Sequence, residues 1–524
     1  MTSCSWSILV VAYLVIVMLI GLLARKKSGN SNQYLNATRS LPLWLSTLAF
    51  IAANCGALDV VGLMSLGAQY GALAFHFYWI GAVPALIVLA LWLLPAYRAS
   101  RAVTIFEFLG RQYGKPTRTL VTLSMSVMTI LLAGIALYAM AQVLSAYLQW
   151  SFASGVLIAA AVLLACTWSG GLKATIYNEI LHFSIVLAAV SPLVFLVAHS
   201  AGGAASLLHA IPPSRIHAWK NLRLWAPSDP MDVVGLVAGL GIVLSFGYWS
   251  TDFILMQRAL AVRGQSKAQI VPLTAALAKL TFSLLIVVPG IAAPLILRGQ
   301  KVAFDQTLPA LMLHFYPGML ADLGILGLLA TLMASLSAHV SAVSAMWMHD
   351  FYQVSVRPNM QDSHYLKAGK LANAVAIGLG VLGAFTALRY KSLMEYIQLL
   401  LSTVNAPLLG IFAPAVLLRN TTPQGGFWGF TIGLACAVLH QVLYRAGILH
   451  YGSQMASSFY GAIAAFTISI CTALVLSRYK RPQALSAQAS EHLPRITAPI
   501  WSKSLSTLTL AAISLLVLLN VVFW

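Results

Sequence analysis

Apolar runs of about 20 residues, parted by short polar segments, recur along the whole chain, each long enough to cross a ~30 Å hydrocarbon core. They predict fourteen membrane-crossing helices, near 5–24, 41–66, 72–97, 119–148, 152–167, 174–198, 232–257, 269–297, 319–348, 367–388, 392–418, 425–444, 455–477 and 504–524. Two of these runs do not read as continuous rods. The run at 41–66 carries Asn54-Cys55-Gly56-Ala57 at its middle, with Asp59 beside it. A glycine and an amide at mid-span weaken a helix, and a carboxylate in hydrocarbon costs at least ~2.5–3.5 kcal/mol. The run at 232–257 carries Gly239-Leu240-Gly241, then Ser245-Phe246-Gly247-Tyr248-Trp249-Ser250-Thr251-Asp252. Glycine is common in membrane helices, so either interruption alone also fits close helix packing. Two interruptions five spans apart predict two inverted five-helix halves. The freed carbonyls and half-helix ends then face a chamber at membrane depth.

A third polar stripe lies in the run at 319–348. Thr331, Ser335 and His339 follow each other at four-residue intervals and share one helix face, and Ser337, Ser341 and Ser344 line a neighbouring strip. Such hydroxyls either bond back to the carbonyl four residues earlier or lend oxygen to a small hard cation. Glu179, His182, Lys279 and Gln398 are further polar groups inside runs. Lys279 must find a partner or water, whereas Gln398 can bond across helices. His182 and His339 read as neutral buried imidazoles or as proton carriers.

Composition sharpens this picture. The chain of 524 residues is 60% hydrophobic and 8% charged, against roughly 25% charged residues in ordinary soluble domains. Its net charge of +19 sits in short clusters between spans, with no basic domain or aromatic-interleaved patch, which argues against nucleic acid. Alternating the spans from an outer start puts 22 of the 31 Lys and Arg in inner loops and eight in outer ones, with Lys279 inside a span. That bias predicts a plasma-membrane protein with both ends extracellular or periplasmic. The first run lacks a basic leader and is followed by Arg25-Lys26-Lys27, so it reads as a retained helix and not as a cleaved signal. Residues 199–231 are expected to form an ordered outer cover, and the polar 480–503 an inner linker. The five cysteines show no metal or disulfide spacing. No nucleophile–base motif or soluble catalytic domain is visible, so an enzyme is not expected, nor is an obligate protein partner.

Ordered motifs carry a resemblance. They include Leu41-Pro42-Leu43-Trp44 with Ile51-Ala52-Ala53-Asn54, Thr104-Ile105-Phe106-Glu107-Phe108-Leu109 and Trp168-Ser169-Gly170-Gly171-Leu172. Tyr248-Trp249-Ser250-Thr251-Asp252 with Gln257-Arg258, Pro289-Gly290-Ile291-Ala292-Ala293 and Asp350-Phe351-Tyr352 follow, then Tyr396-Ile397-Gln398 and Gly425-Gly426-Phe427-Trp428-Gly429. With these the chain resembles the sodium:solute symporters, most of all their sodium–glucose/galactose branch.

The resemblance implies an all-α polytopic membrane protein with a five-plus-five inverted-repeat core and discontinuous first core helices, moving a small-molecule solute with sodium by alternating access. The repeats would be 41–198 and 232–418, flanked by peripheral 1–40 and 419–524. Sodium would be held by carbonyls of Ala52 and Cys55 and of Thr331, with the hydroxyl of Ser335; Ala334 stands where the family has a second hydroxyl. Solute residues would be Asn54, Lys279, Gln398 and the ring of Tyr248. Ser245, Tyr78 and Asp59 stand at positions where the sugar branch carries other residues. A sugar or polyol is the first expectation. Glu179 would serve ion exit or coupling, and Asp252 is a second acid for that role. A proton-coupled carrier of the same fold using Asp59 or His339, and a solute sensor that does not transport, are the alternatives.

Overall fold

Helix α1 (Leu43–Asn54) ends where the first interruption was expected, and α2 (Ala57–Tyr70) begins after Cys55 and Gly56. This is seen in a computed structural model, which describes Tyr13, Val15, Ile16 and residues 41–100, 102, 104–167, 172–418, 421–479 and 501–524. The last backbone bond of α1 runs from Cys55 N to Ile51 O, so the carbonyls that follow have no partner in the helix.

The remaining helices follow in order: α3 (Phe77–Ser100), α4 (Ile105–Tyr113), α5 (Lys115–Leu148), α6 (Phe152–Thr167) and α7 (Leu172–Ser200). After a capping segment come α8 (Gly235–Thr251), α9 (Phe253–Leu260), α10 (Gln265–Ile296), α11 (Thr307–Phe315) and α12 (Met319–Val356). The chain closes with α13 (Asp362–Ala387), α14 (Leu393–Leu417), α15 (Pro423–Arg445), α16 (Gln454–Tyr479) and α17 (Lys503–Val522). Among the described residues, 11 helices are long and apolar enough to cross a membrane, or 12 if the bent pair α8–α9 counts as one. Each predicted span after the first has its helix, although α1 and α6 are short. The span at 5–24, most of the linker 480–503 and the Trp168–Gly171 motif lie outside the described residues.

The second interruption takes another form. From Gly235 to Ser245 the backbone of α8 widens into π-helical turns, and the break comes only at Asp252, where α9 departs at 55°. Asp252 is the N-cap of α9, its carboxylate accepting the Leu255 N–H at 2.8 Å. A carboxylate suits that place, where backbone donors lack partners.

Helix α2 packs tightly on α10. A Cβ on Gly290 would lie 2.5 Å from the Met64 carbonyl, and one on Gly67 2.9 Å from the Val287 carbonyl. These two glycines allow a close crossing, which brings Lys279 of α10 beside Asp59 of α2. Residues 204–232 pack against one end of the bundle. There Arg215 donates to the carbonyls of Gly67 and Ala68, and the His76 ring bonds to the Ala218 carbonyl at 2.8 Å.

At the same end the turn Phe304–Gln306 inserts Asp305 between three helices. Its buried carboxylate accepts from Ser65 of α2, Tyr138 of α5 and the Leu393 N–H that opens α14, at 2.9–3.1 Å. Burial raises its pKa from 3.8 to about 6, against the pull of these donors and with a smaller push from Glu395. Between those values the folded protein holds a proton that the unfolded chain has released. Stability is therefore expected to fall as pH rises from about 4 to about 6. Asp305→Asn should flatten that slope in thermal unfolding of the detergent-solubilised protein. An unchanged slope would remove Asp305 as its source.

Candidate functional site

All seven residues expected to meet solute line one cavity of about 130 Å³. Asn54 closes α1, Asp59 stands on the first turn of α2, and Tyr78 lies on the opening π turn of α3. Ser245 and Tyr248 come from α8, Lys279 from α10 and Gln398 from α14. The first interruption and the π-helical stretch of α8 therefore open onto the same space, which places polar backbone and side chains at membrane depth within protein, while the break at Asp252 does not line it. Trp249, Phe77, Met394 and Ile397 supply apolar walls.

Inside this cavity Lys279 and Asp59 form an ion pair, Nζ to Oδ2 at 2.9 Å. The Tyr78 hydroxyl donates to the same oxygen at 3.1 Å. The ammonium also lies 3.8 Å from the Tyr78 ring centre and 5.0 Å from that of Trp249. A cation over ring faces gains further in a dry site. The two charges are unequally placed: the Lys279 side chain is 0% exposed and that of Asp59 30%. Both polar atoms of the Asn54 amide, and Oε1 of Gln398, are buried without a hydrogen-bond partner. These unspent polar atoms belong to residues that line the cavity, and a polar guest reaching them would satisfy them.

A second, smaller cavity of about 40 Å³ adjoins the first. Ala52, Thr331 and Ser335 line it, as do Ala334 and the acids Glu179 and Asp252. Cys55 is buried beside it but does not line it. The Thr331 hydroxyl donates to Gly327 O at 2.8 Å, the helix-satisfying use foreseen for this stripe, and also lies 3.1 Å from the His182 carbonyl. His339 bonds Nδ1 to the Ser335 carbonyl at 2.7 Å. Ala53, Gly56, Tyr248, Ser335 and His339 line both cavities, so these residues form the partition.

A model of the sodium:solute symporter family matches residues 34–433. The chain belongs to the sodium:solute symporter family. Sodium/glucose cotransporter 1 of Mus musculus is 27% identical, over 90% of this chain and 78% of its own. A sodium/mannose cotransporter of Bos taurus is 26% identical over 70% of this chain and 66% of its own. Among solved structures, a Na+-coupled sialic acid symporter superposes with a TM-score of 0.77 at 15% identity, covering 91% of this chain and 98% of the other. Mhp1, of the nucleobase-cation-symport-1 family, gives 0.56 at 14%, covering 92% and 98%. At such identities these structures show a shared fold. The symporter is thus a multi-pass membrane transporter of the five-plus-five class, with sodium as its co-transported ion and a small molecule as cargo.

At the end of the symporter opposite residues 204–232, Arg258 of α9 and Glu179 of α7 pair face to face. The Arg258 Nε–Glu179 Oε2 bond is 3.0 Å, and Nη2 contacts the other oxygen. Ser46 of α1 donates to the Arg258 carbonyl, and Leu41 bridges to Val262. Three helices are tied at one point. Glu179 was singled out from the sequence for ion exit or coupling, whereas its engagement by Arg258 was not foreseen. Trp249 and Asp305 were missed as well. The only sequence signal for Trp249 was its place beside Tyr248, and for Asp305 its being the one acid in a loop that otherwise carries the cations Arg298 and Lys301.

Proposed function

We propose that the symporter uses the sodium gradient across the plasma membrane to drive uptake of a small polar solute, a sugar or polyol, by alternating access. Solute occupies the larger cavity and sodium the smaller, held by the carbonyls of Ala52, Cys55 and Thr331 and by the Ser335 hydroxyl. The observation that carries this reading is the meeting of both interrupted helices, with all seven expected solute residues, in one chamber that shares a wall with the second cavity. The relatives named for glucose and mannose support a sugar. In this reading α1–α7 and α8–α14 hold the two inverted repeats, α2 and α14 meet the outer solution, α1 and α9 meet the inner one, and both chain ends face outward. Glu179 and Asp252 line the path by which sodium leaves.

Coupling requires each ligand to favour one state. Shifting a two-state equilibrium from 1:99 to 99:1 takes ~5.5 kcal/mol of differential affinity, and the membrane potential contributes ~2.3 kcal/mol per charge per 100 mV. Ala334 leaves Ser335 as the one side-chain hydroxyl of the proposed ion site, so Ser335→Ala should raise the sodium concentration needed for half-maximal uptake by roughly tenfold, equal to about 1.4 kcal/mol. Uptake into proteoliposomes, measured with and without sodium and with a pH gradient alone, tests the reading. Uptake that ignores sodium and follows the pH gradient would end it.

A further inference from the structure

We propose that Asp59 selects the solute through its cavity-facing oxygen, that Lys279 only holds that carboxylate in place, and that the chamber therefore prefers a neutral, hydroxyl-rich solute to its anionic counterpart. The proposal rests on the reading that solute occupies the larger cavity.

Lys279 has no surface left to offer. Its ammonium is enclosed by Asp59 Oδ2, the Tyr78 ring and the Trp249 ring, and the side chain is fully buried. Oδ2 is likewise occupied, by Lys279 and the Tyr78 hydroxyl. What remains toward the cavity is Asp59 Oδ1, on a side chain that is 30% exposed in a chamber of low dielectric. A charged oxygen there is the strongest acceptor available to a guest.

The neutral groups around it agree. Gln398 spends its Nε2 on the Met394 sulfur and leaves Oε1 unpaired; Asn54 leaves both amide atoms unpaired. Whichever way the two amides are turned, the single formal charge facing the guest is negative. A solute rich in O–H donors satisfies these atoms, and its C–H face can lie on Tyr248. A site with buried polar atoms rejects a guest that leaves them unpaired. An anionic guest brings a second negative charge to within a few ångströms of Asp59. That repulsion is worth roughly a hundredfold in affinity after allowing for the lysine behind the carboxylate.

The test compares matched compounds on the full-length protein in detergent with sodium present. Hexoses and hexitols are set against hexuronates and hexonates of the same configuration, with thermal stabilisation and equilibrium binding as readouts. Wild-type protein is expected to bind a neutral member at least ~100-fold more tightly than its carboxylated counterpart. Asp59→Asn removes the repelling charge and frees Lys279, so the ratio should collapse to about tenfold or less while affinity for the neutral compound falls. Lys279→Arg keeps the cation and should keep the wild-type ratio. A role in folding alone would not move this ratio. Should Asp59→Asn fail to fold, the wild-type panel and Lys279→Arg still decide. Carboxylated compounds binding wild type within tenfold of the neutral ones, or an Asp59→Asn ratio equal to wild type, overturns the proposal. Such a result leaves the cavity reading standing if Asn54→Ala and Gln398→Ala weaken binding. If those two variants bind solute as wild type does, the cavity reading falls, and this proposal with it.

Discussion

Replacing Arg258 with Met is expected to cost about 3–5 kcal/mol of folding stability, because it strands the Glu179 carboxylate in a buried site without its cation. The two side chains are 2% and 4% exposed, so little water reaches either in place of the missing partner. Removing Glu179 alone should be comparably damaging. Changing both, Glu179→Gln with Arg258→Met, should recover most of the loss, since a buried pair exchanged for neutral groups is often close to neutral. Thermal unfolding of the four proteins in detergent gives the cycle. If the single losses simply add in the double variant, the two charges do not depend on each other. The pair also joins α7 to α9 at the point where Ser46 brings in α1, so the recovered double variant should fold yet transport with altered kinetics.

Replacing Lys279 with Met is the second large effect. Asp59 then keeps only the Tyr78 hydroxyl as a donor on Oδ2. Because that carboxylate reaches the cavity, the stability loss should be smaller than for Arg258→Met, about 2–3 kcal/mol. Solute affinity should fall at least ~100-fold, since the acceptor that reads the solute is no longer held in place. Pairing the change with Asp59→Asn should restore stability but not affinity, because the charged oxygen is still missing. Equilibrium binding and thermal unfolding on the same samples separate the two effects. Restored affinity in the double variant would show that the carboxylate does not touch the solute.

The cavity itself was foreseeable in outline. Asn54, Gly56 and Asp59 stand in a stretch where a continuous apolar helix would leave an amide and a charge in lipid, and that alone predicts a break lined by protein or water. The second break was located less well. The sequence placed it only somewhere from Gly239 to Asp252; the chain passes the two glycines as a wide π-helical turn and bends at Asp252, the last residue of that stretch. Glycine permits either outcome, and the choice is made by neighbours: a Cβ on Gly239 would meet Phe459 at 2.7 Å, and one on Gly241 would meet Ile80 at 2.6 Å. Asp252 read as a free intramembrane acid because a lone sequence does not reveal that the next residue starts a helix in need of a cap.

By itself the amino-acid order determined the membrane class, the rough position of the apolar rods, the existence of two interruptions and the polar residues gathered near them. The bilayer enforces these, since it tolerates neither unpaired backbone nor stray charge and so makes every polar residue in a span informative. Which acid meets which base was decided only in three dimensions. Asp59 and Lys279 are 220 positions apart, Glu179 and Arg258 79, and Asp305 joins Ser65, Tyr138 and Leu393 from three helices. Several acids and bases were available to pair, and charge attraction has no sequence signature. Tertiary packing, down to the glycine contacts that let α2 and α10 approach, settled which carboxylate faces the chamber and which cation is hidden behind it.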